Sequence, residues 1–395
     1  MDGGDHENDS RFEVHELDDE DDNGKEEDGE DGDWETDLDE GLEMEDYVSE
    51  FTAHKEPVYC LDLYKDTGVV VTGSQDERAF VWDSKSDTQL AMIEGHNDTI
   101  VSVAFHPQEP YLATADMLGV IQVFSTESDS KERLWSYECG MDLNLVFWHP
   151  VAKVVFAGLG NGDLFMLKVG TEELKCYSGA GFEVSAAKIT ENGLDVIVGY
   201  HDSSVKCWNL KSCSVISSTK LTQDIDMPVS KIELHKEQQY LACTTEAVCL
   251  VNIKTGKILA KYGHFSADTE MNQTPESAMP EVETFALCPS NPNLLCLGRN
   301  TGRIETWDIT AKCIRNVEQL RGAIIKMLFP RMSKEPMCLA TTSAGIVFCF
   351  DALTGTVLRS FRGHEGPVFD IALASDDSFF VTCGEDSTVK VFSLS

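Results

Sequence analysis

Runs of five to seven residues in which apolar side chains alternate with polar ones, or fill nearly every position, recur along this chain in a fixed order. One set reads AFVWD, IQVFS, LFMLK, VKCWN, VCLVN, IETWD, VFCFD and VKVFS, each after an acidic or glycine-containing turn. Before each lies a second run, from GVVVTGS and YLATAD to MCLATTS and FFVTCGE, and before that a third, from PVYCLDL and IVSVAFHP to PVFDIAL. Short segments rich in β-branched and aromatic residues, ending at Gly, Asp or Ser, predict hairpin strands with an inner apolar face. Helical periodicity is nearly absent, so the predicted fold class is all-β.

The first set of runs repeats at a near-constant distance. Trp82, Phe124, Leu167, Trp208, Val251, Trp307, Phe350 and Phe392 form one column, with steps of 42, 43, 41, 43, 56, 43 and 42 residues. Four-stranded units at this period are the mark of a β-propeller, whose blades bury their faces against one another. Eight units predict eight blades over residues 47–395. The long step holds GHFSADTEMNQTPESAMPEVE, a polar insertion at about 264–283 expected to form a flexible surface loop. The last unit lacks an outer strand of its own, and an open edge must be covered. DYVSEFTAH precedes the first blade without belonging to it, so Tyr47–Thr52 is expected to pair with the last blade and close the ring.

GHNDTIVSVAFHP, GHEGPVFDIAL, VTGSQDERAFVWD and IETWDI resemble the WD-repeat family. That resemblance implies a hydrogen-bonded set inside each blade, made by a His before the first strand, a Ser or Thr, a turn Asp and the Trp. Blade one matches with His54, Thr72, Asp76 and Trp82. Blade eight keeps His364, Thr382 and Asp386 but has Phe392, so its network is expected to be shorter. Blades three, five and seven are degenerate. Seven blades, the commoner number in that family, is the alternative count.

Charge separates the first 46 residues from the rest. They hold 24 Asp and Glu against Arg11 and Lys25, a net −22 of the chain's −38. Such a segment cannot offset its ordering entropy by burial, so 1–46 is expected to be a disordered acidic arm around a lone Trp34. Acidity throughout disfavours direct nucleic-acid binding and favours a basic partner. The thirteen cysteines show no CxxC or zinc spacing and mostly fall in apolar runs, as buried free thiols do. No leader-like or membrane-spanning apolar run occurs, so a cytoplasmic monomer without membrane insertion is expected, with a nuclear or membrane-associated pool as a variation.

Catalytic patterns are missing as well. GLGNGD lies between two strands and predicts a tight hairpin, not a phosphate loop. His106 and His149 end first strands, and Asp76, Asp202 and Asp386 end hairpin turns, where such side chains bond backbone. A non-enzyme without cofactor or metal is expected. On a propeller, residues beside the first strands and in the second-to-third turns share one face. Glu56, Asp98, Asp142, Glu183, Glu365 and Glu385 fall there and would give it a negative potential able to steer a basic peptide.

The ordered combination of acidic arm, TADMLGVIQVF, VGYHDSSVKCWNL, the insertion, and FRGHEGPVFDIALASDDSFFVTCGEDSTVKVF resembles the angio-associated migratory cell protein family and its fungal ribosome-assembly relatives. The resemblance implies a dedicated chaperone of a basic large-subunit ribosomal protein. The alternative it implies is a cytoplasmic scaffold in cell migration, angiogenesis and receptor-linked signalling.

Overall fold

Alternation in each run gives one strand two faces to bury, and the turns between runs are short enough to force antiparallel neighbours. A computed structural model of the chain describes Met1 and residues 46–394, apart from 65–66, 128–131, 180, 223–225, 237, 265–279 and 334. Its described strands form eight four-stranded antiparallel sheets, and no helix occurs among the described residues. Blade one comprises Val58–Tyr64, Val69–Ser74, Ala79–Asp83 and Thr88–Ile93, from the channel outward. The same order recurs through blade seven, whose outer strand is Val357–Phe361. The chain is an eight-bladed β-propeller. The acidic arm and most of the insertion lie outside the described residues. The insertion is shorter than the sequence suggests, because Val282 and Glu283 already belong to the inner strand Val282–Leu287 of blade six.

The eighth blade is built from both ends of the ring. Val368–Leu373, Phe379–Gly384 and Val389–Ser393 are completed by Tyr47–Phe51, which pairs antiparallel with Val389–Ser393. The expected closing strand is therefore present. Lys390, almost fully buried, pairs with Glu50 and lies 4.3 Å from the centre of the Tyr47 ring. Asp46 and Arg362 exchange backbone and side-chain hydrogen bonds of 3.1 Å. Phe51 reaches into blade one and stacks on Trp82 at 5.1 Å.

Seven of the eight column residues are buried between blades. Trp82 packs with Val58, Leu61 and Val70 against Val381, Cys383, Val389 and Val391 of blade eight. All thirteen cysteines are free thiols, nine of them buried. On the face where inner strands end, His106 accepts the Gln108 and Glu109 amides at Nδ1 and donates from Nε2 to Ala152 O of the next blade (3.1 Å). His149 repeats this toward Gly193 O (3.1 Å). These histidines are inter-blade staples, as strand-end residues should be.

Candidate functional site

Antiparallel pairing decides what shares a face. Val58 pairs with Ser74, Ile100 with Asp116, Leu143 with Leu159, Val184 with Tyr200 and Val368 with Gly384, so each inner strand begins beside a second-to-third turn. Glu56, Asp98, Asp142, Glu183 and Glu365 precede inner strands, and Glu385 lies in such a turn. All six consequently stand on the face where the inner strands begin. Glu56, Asp142, Glu183, Glu365 and Glu385 are exposed. Asp98 is half-buried and caps the Thr99 amide (2.6 Å), and Glu183 lies 3.7 Å from His201.

A regularity of the backbone, invisible in the residue types, aims side chains at the channel mouth. In seven blades the inner strand is irregular at its second residue: between Val58 and Cys60, Ile100 and Ser102, Leu143 and Leu145, Val184 and Ala186, Val282 and Thr284, Ile324 and Lys326, and Val368 and Asp370. A bulge leaves its extra residue out of the ladder and re-aims it. The residues freed are Tyr59, Val101, Asn144, Ser185, Glu283, Ile325 and Phe369. Glu283 is the acid among them, and burial, then its neighbour Glu281, raises its pKa. Turn glycines bring the blades close at this face: a Cβ on Gly119 (φ +91) would stand 2.3 Å from Met141 O, and on Gly162 (φ +90) 2.4 Å from Phe182 O. Only glycine fits these positions.

Below the mouth the inner strands also carry charge, all of it engaged. Lys326 of blade seven pairs with Asp370 of blade eight, which accepts the Leu61 amide of blade one (3.2 Å). Asp62 of blade one accepts the Phe105 amide of blade two (2.7 Å), and burial raises its pKa to about 6. Lys188 pairs with Glu233 (3.1 Å), and Lys231 donates to Phe285 O (2.7 Å). These contacts join neighbouring blades through the channel wall.

The expected blade networks exist in modified form. His54 Nδ1 faces Asp76 (3.1 Å) and Nε2 lies 2.8 Å from Thr72 Oγ1; His364 makes the same contacts with Asp386 (2.9 Å) and Thr382 (2.8 Å). The carboxylate keeps the proton on Nδ1, leaving Nε2 to accept the hydroxyl. Burial alone would raise the Asp386 pKa, but the hydrogen bond and charge of His364 hold it at about 2. Trp82 departs from expectation. Its buried indole nitrogen has no hydrogen-bond partner among the described residues, and the ring face stacks on Phe51. Blade one is thus no longer a network than blade eight.

Two networks go beyond the sequence reading, in which His96 occupies a blade-capping position like His54 and His364 but has no named partners. Blade two uses Asp116, only two residues after Thr114, with His96 Nδ1 at 3.1 Å and Nε2 2.8 Å from Thr114. In blade six the fully buried Arg299 stands at the Ser74 position and bonds Glu305 (2.9 Å), Pro280 O (2.8 Å) and Gly263 O (2.7 Å). Arg and Glu inside the otherwise apolar LLCLGRNTGRIETWD were the available signal. Among the described residues no cluster of His, Cys, Asp or Glu could hold a metal ion. A cleft of ≈ 730 Å³ on the opposite face lies between blades four and five, but its Asp195 is already bonded to Asn209 (2.8 Å).

The repeat model for the WD domain, G-beta repeat, matches residues 45–83, 87–125 and 355–393. Each matched unit opens on an outer strand and continues into the next blade, so the first includes the closing strand. Angio-associated migratory cell protein of Homo sapiens is 31% identical over 351 residues, covering 87% of this chain and 79% of that protein. Ribosome assembly protein SQT1 of Saccharomyces cerevisiae is 22% identical over 401 residues, 91% of this chain and 90% of that protein. The solved structure of S. cerevisiae Sqt1 superposes with a TM-score of 0.77 at 18% identity, over 89% of this chain and 100% of that one. Chaetomium thermophilum Sqt1 bound to the N-terminus of the ribosomal protein L10 gives 0.75 at 16% identity, with the same coverage. The two superpositions show a shared fold.

Proposed function

The chain belongs to the angio-associated migratory cell protein family, and from that premise we propose that it is a non-catalytic binding protein that escorts a basic segment of a large-subunit ribosomal protein during ribosome assembly. The observation that carries this reading is the division of charge along the inner strands. Acids at the wall are engaged, whereas Glu56, Asp142, Glu365 and Glu385 at the mouth have no ion pair among the described residues. Exposed, like-charged carboxylates around a rigid opening attract a cationic peptide and compete with RNA for it. The relative solved with the N-terminus of ribosomal protein L10 supports the partner class.

In this reading the propeller supplies specificity, and the acidic arm adds long-range attraction that acts on association rate and weakens with salt. Both act in the cytoplasm, on a monomer. The alternative is a scaffold in migration signalling, supported by the names of the animal relatives. Affinity purification at increasing salt, using the full chain and one lacking residues 1–46, separates the two. Escort activity gives ribosomal proteins whose recovery falls with salt and with loss of the arm. Recovery of only non-ribosomal partners, indifferent to salt, would overturn it.

A further inference from the structure

Two of the bulge residues at the mouth are aromatic, and they meet at the seam where the ring closes. Tyr59 of blade one and Phe369 of blade eight lie with ring centroids 5.2 Å apart and planes tilted by 33°. Tyr59 is 40% exposed, and its hydroxyl donates to Gln75 (3.0 Å) in the adjoining turn, which fixes the ring at the opening. Phe369 is half-buried beneath it. Their surroundings are acidic. Glu56 lies three residues before Tyr59, and the Glu385 carboxylate overlies Gly366, 3.0 Å from where a Cβ would stand, three residues before Phe369.

Several rings of the protein, in the core as well as at the surface, are matched internally. Tyr47, Tyr111, Tyr200, Phe285 and Phe361 each have a Lys or Arg over the ring at 4.3 to 5.7 Å. Among the described residues none lies over Tyr59 or Phe369. An exposed aromatic face on a rim that also carries carboxylates favours a planar cation: the guanidinium stacks flat on the ring while its edge N–H groups bond carboxylates. An ammonium, compact and strongly hydrated, gains less from such a surface.

We propose that Tyr59 and Phe369 form an arginine-selective subsite at the channel mouth, with Glu56 and Glu385 bonding the guanidinium edge. This rests on the reading of the acidic face as a basic-peptide site, and it assigns which basic residue that face prefers. Lysines contribute charge anywhere on the face; an arginine is read at the seam.

Hexa-arginine and hexalysine, equal in charge, test it by titration into the full chain at low ionic strength. The wild-type chain should bind hexa-arginine about fivefold more tightly. Tyr59→Leu and Phe369→Leu should each bring the two affinities close together while leaving hexalysine unchanged. Tyr59→Phe, which keeps the ring and loses the Gln75 hydrogen bond, should retain the preference. Glu56→Gln with Glu385→Gln should weaken both peptides. Binding of both peptides with an arginine preference that survives Tyr59→Leu and Phe369→Leu overturns the subsite and leaves the basic-peptide reading standing. Binding of neither overturns both.

Discussion

Acids stand at two levels, on the inner strands themselves and in the loops and turns beside their first residues, and the two levels behave differently. At the wall, Asp370 has Lys326 and two backbone amides, Asp62 has two amides, and Glu233 has Lys188. At the mouth, a few residues away, Glu56, Asp142, Glu365 and Glu385 are exposed and have no ion pair among the described residues. A charge taken out of water must be compensated where it sits, so the wall residues hold blades together. A charge left in water costs little to keep and remains available to a partner. The same residue type therefore serves stability at one level and, in the proposed reading, recognition at the other.

Opening the ring destroys both levels at once and gives the largest effect. A chain starting at Val58 loses the eighth blade's outer strand, the Phe51–Trp82 stack and the Glu50–Lys390 pair. We expect it to lose cooperative unfolding, or at least about 5 kcal/mol of stability, a third or more of what a typical domain possesses. An unchanged melting temperature would show that the closing strand is dispensable. At the wall, Lys326→Met leaves Asp370 without its cation. Urea unfolding should then show a loss of about 2 kcal/mol, below the usual range for a broken buried pair because the ammonium is partly solvated. Peptide affinity of the folded fraction should not change.

Acid unfolding gives a smaller and separable signal. Asp386 is held at about 2, below the ordinary 3.8, so its contribution is complete above pH 4 and is lost as the pH falls toward 2. Asp386→Asn should flatten the stability profile in that window and leave the mouth's binding intact. Trp82→Phe should cost about 1 kcal/mol by thermal melting, from packing against Phe51 rather than from a hydrogen bond. A loss above about 3 kcal/mol would mean that the indole N–H is bonded after all.

Much of this was legible beforehand, for a physical reason. Period-two alternation, turn residues and a repeat of about 42 residues are all local, so strands, blade count and the orphan strand at Tyr47 could be read directly. The His54–Thr72–Asp76 set was visible through the resemblance to the WD-repeat family, which implies it at those positions. Side-chain bonding across elements was not. Trp82 lacks its expected hydrogen bond among the described residues and stacks on Phe51, from a segment belonging to another blade. The Arg299 network joins residues from both sides of the insertion, and sequence distance hides it. The candidate site was half legible: the face acids follow from topology, but Tyr59 and Phe369 reach the mouth through bulges, and a bulge leaves the hydrophobic pattern almost unchanged.

The most direct test of the central claim is the affinity of the full chain for the N-terminal peptide of ribosomal protein L10, measured by calorimetry beside the triple variant Glu56→Gln, Glu365→Gln, Glu385→Gln. The three side chains are exposed, so the variant should melt within about 0.5 kcal/mol of the parent. If the mouth is the recognition surface, affinity should fall at least about tenfold, equivalent to about 1.4 kcal/mol, and the salt dependence should shrink with it. Equal affinity in a variant that folds normally would contradict the account.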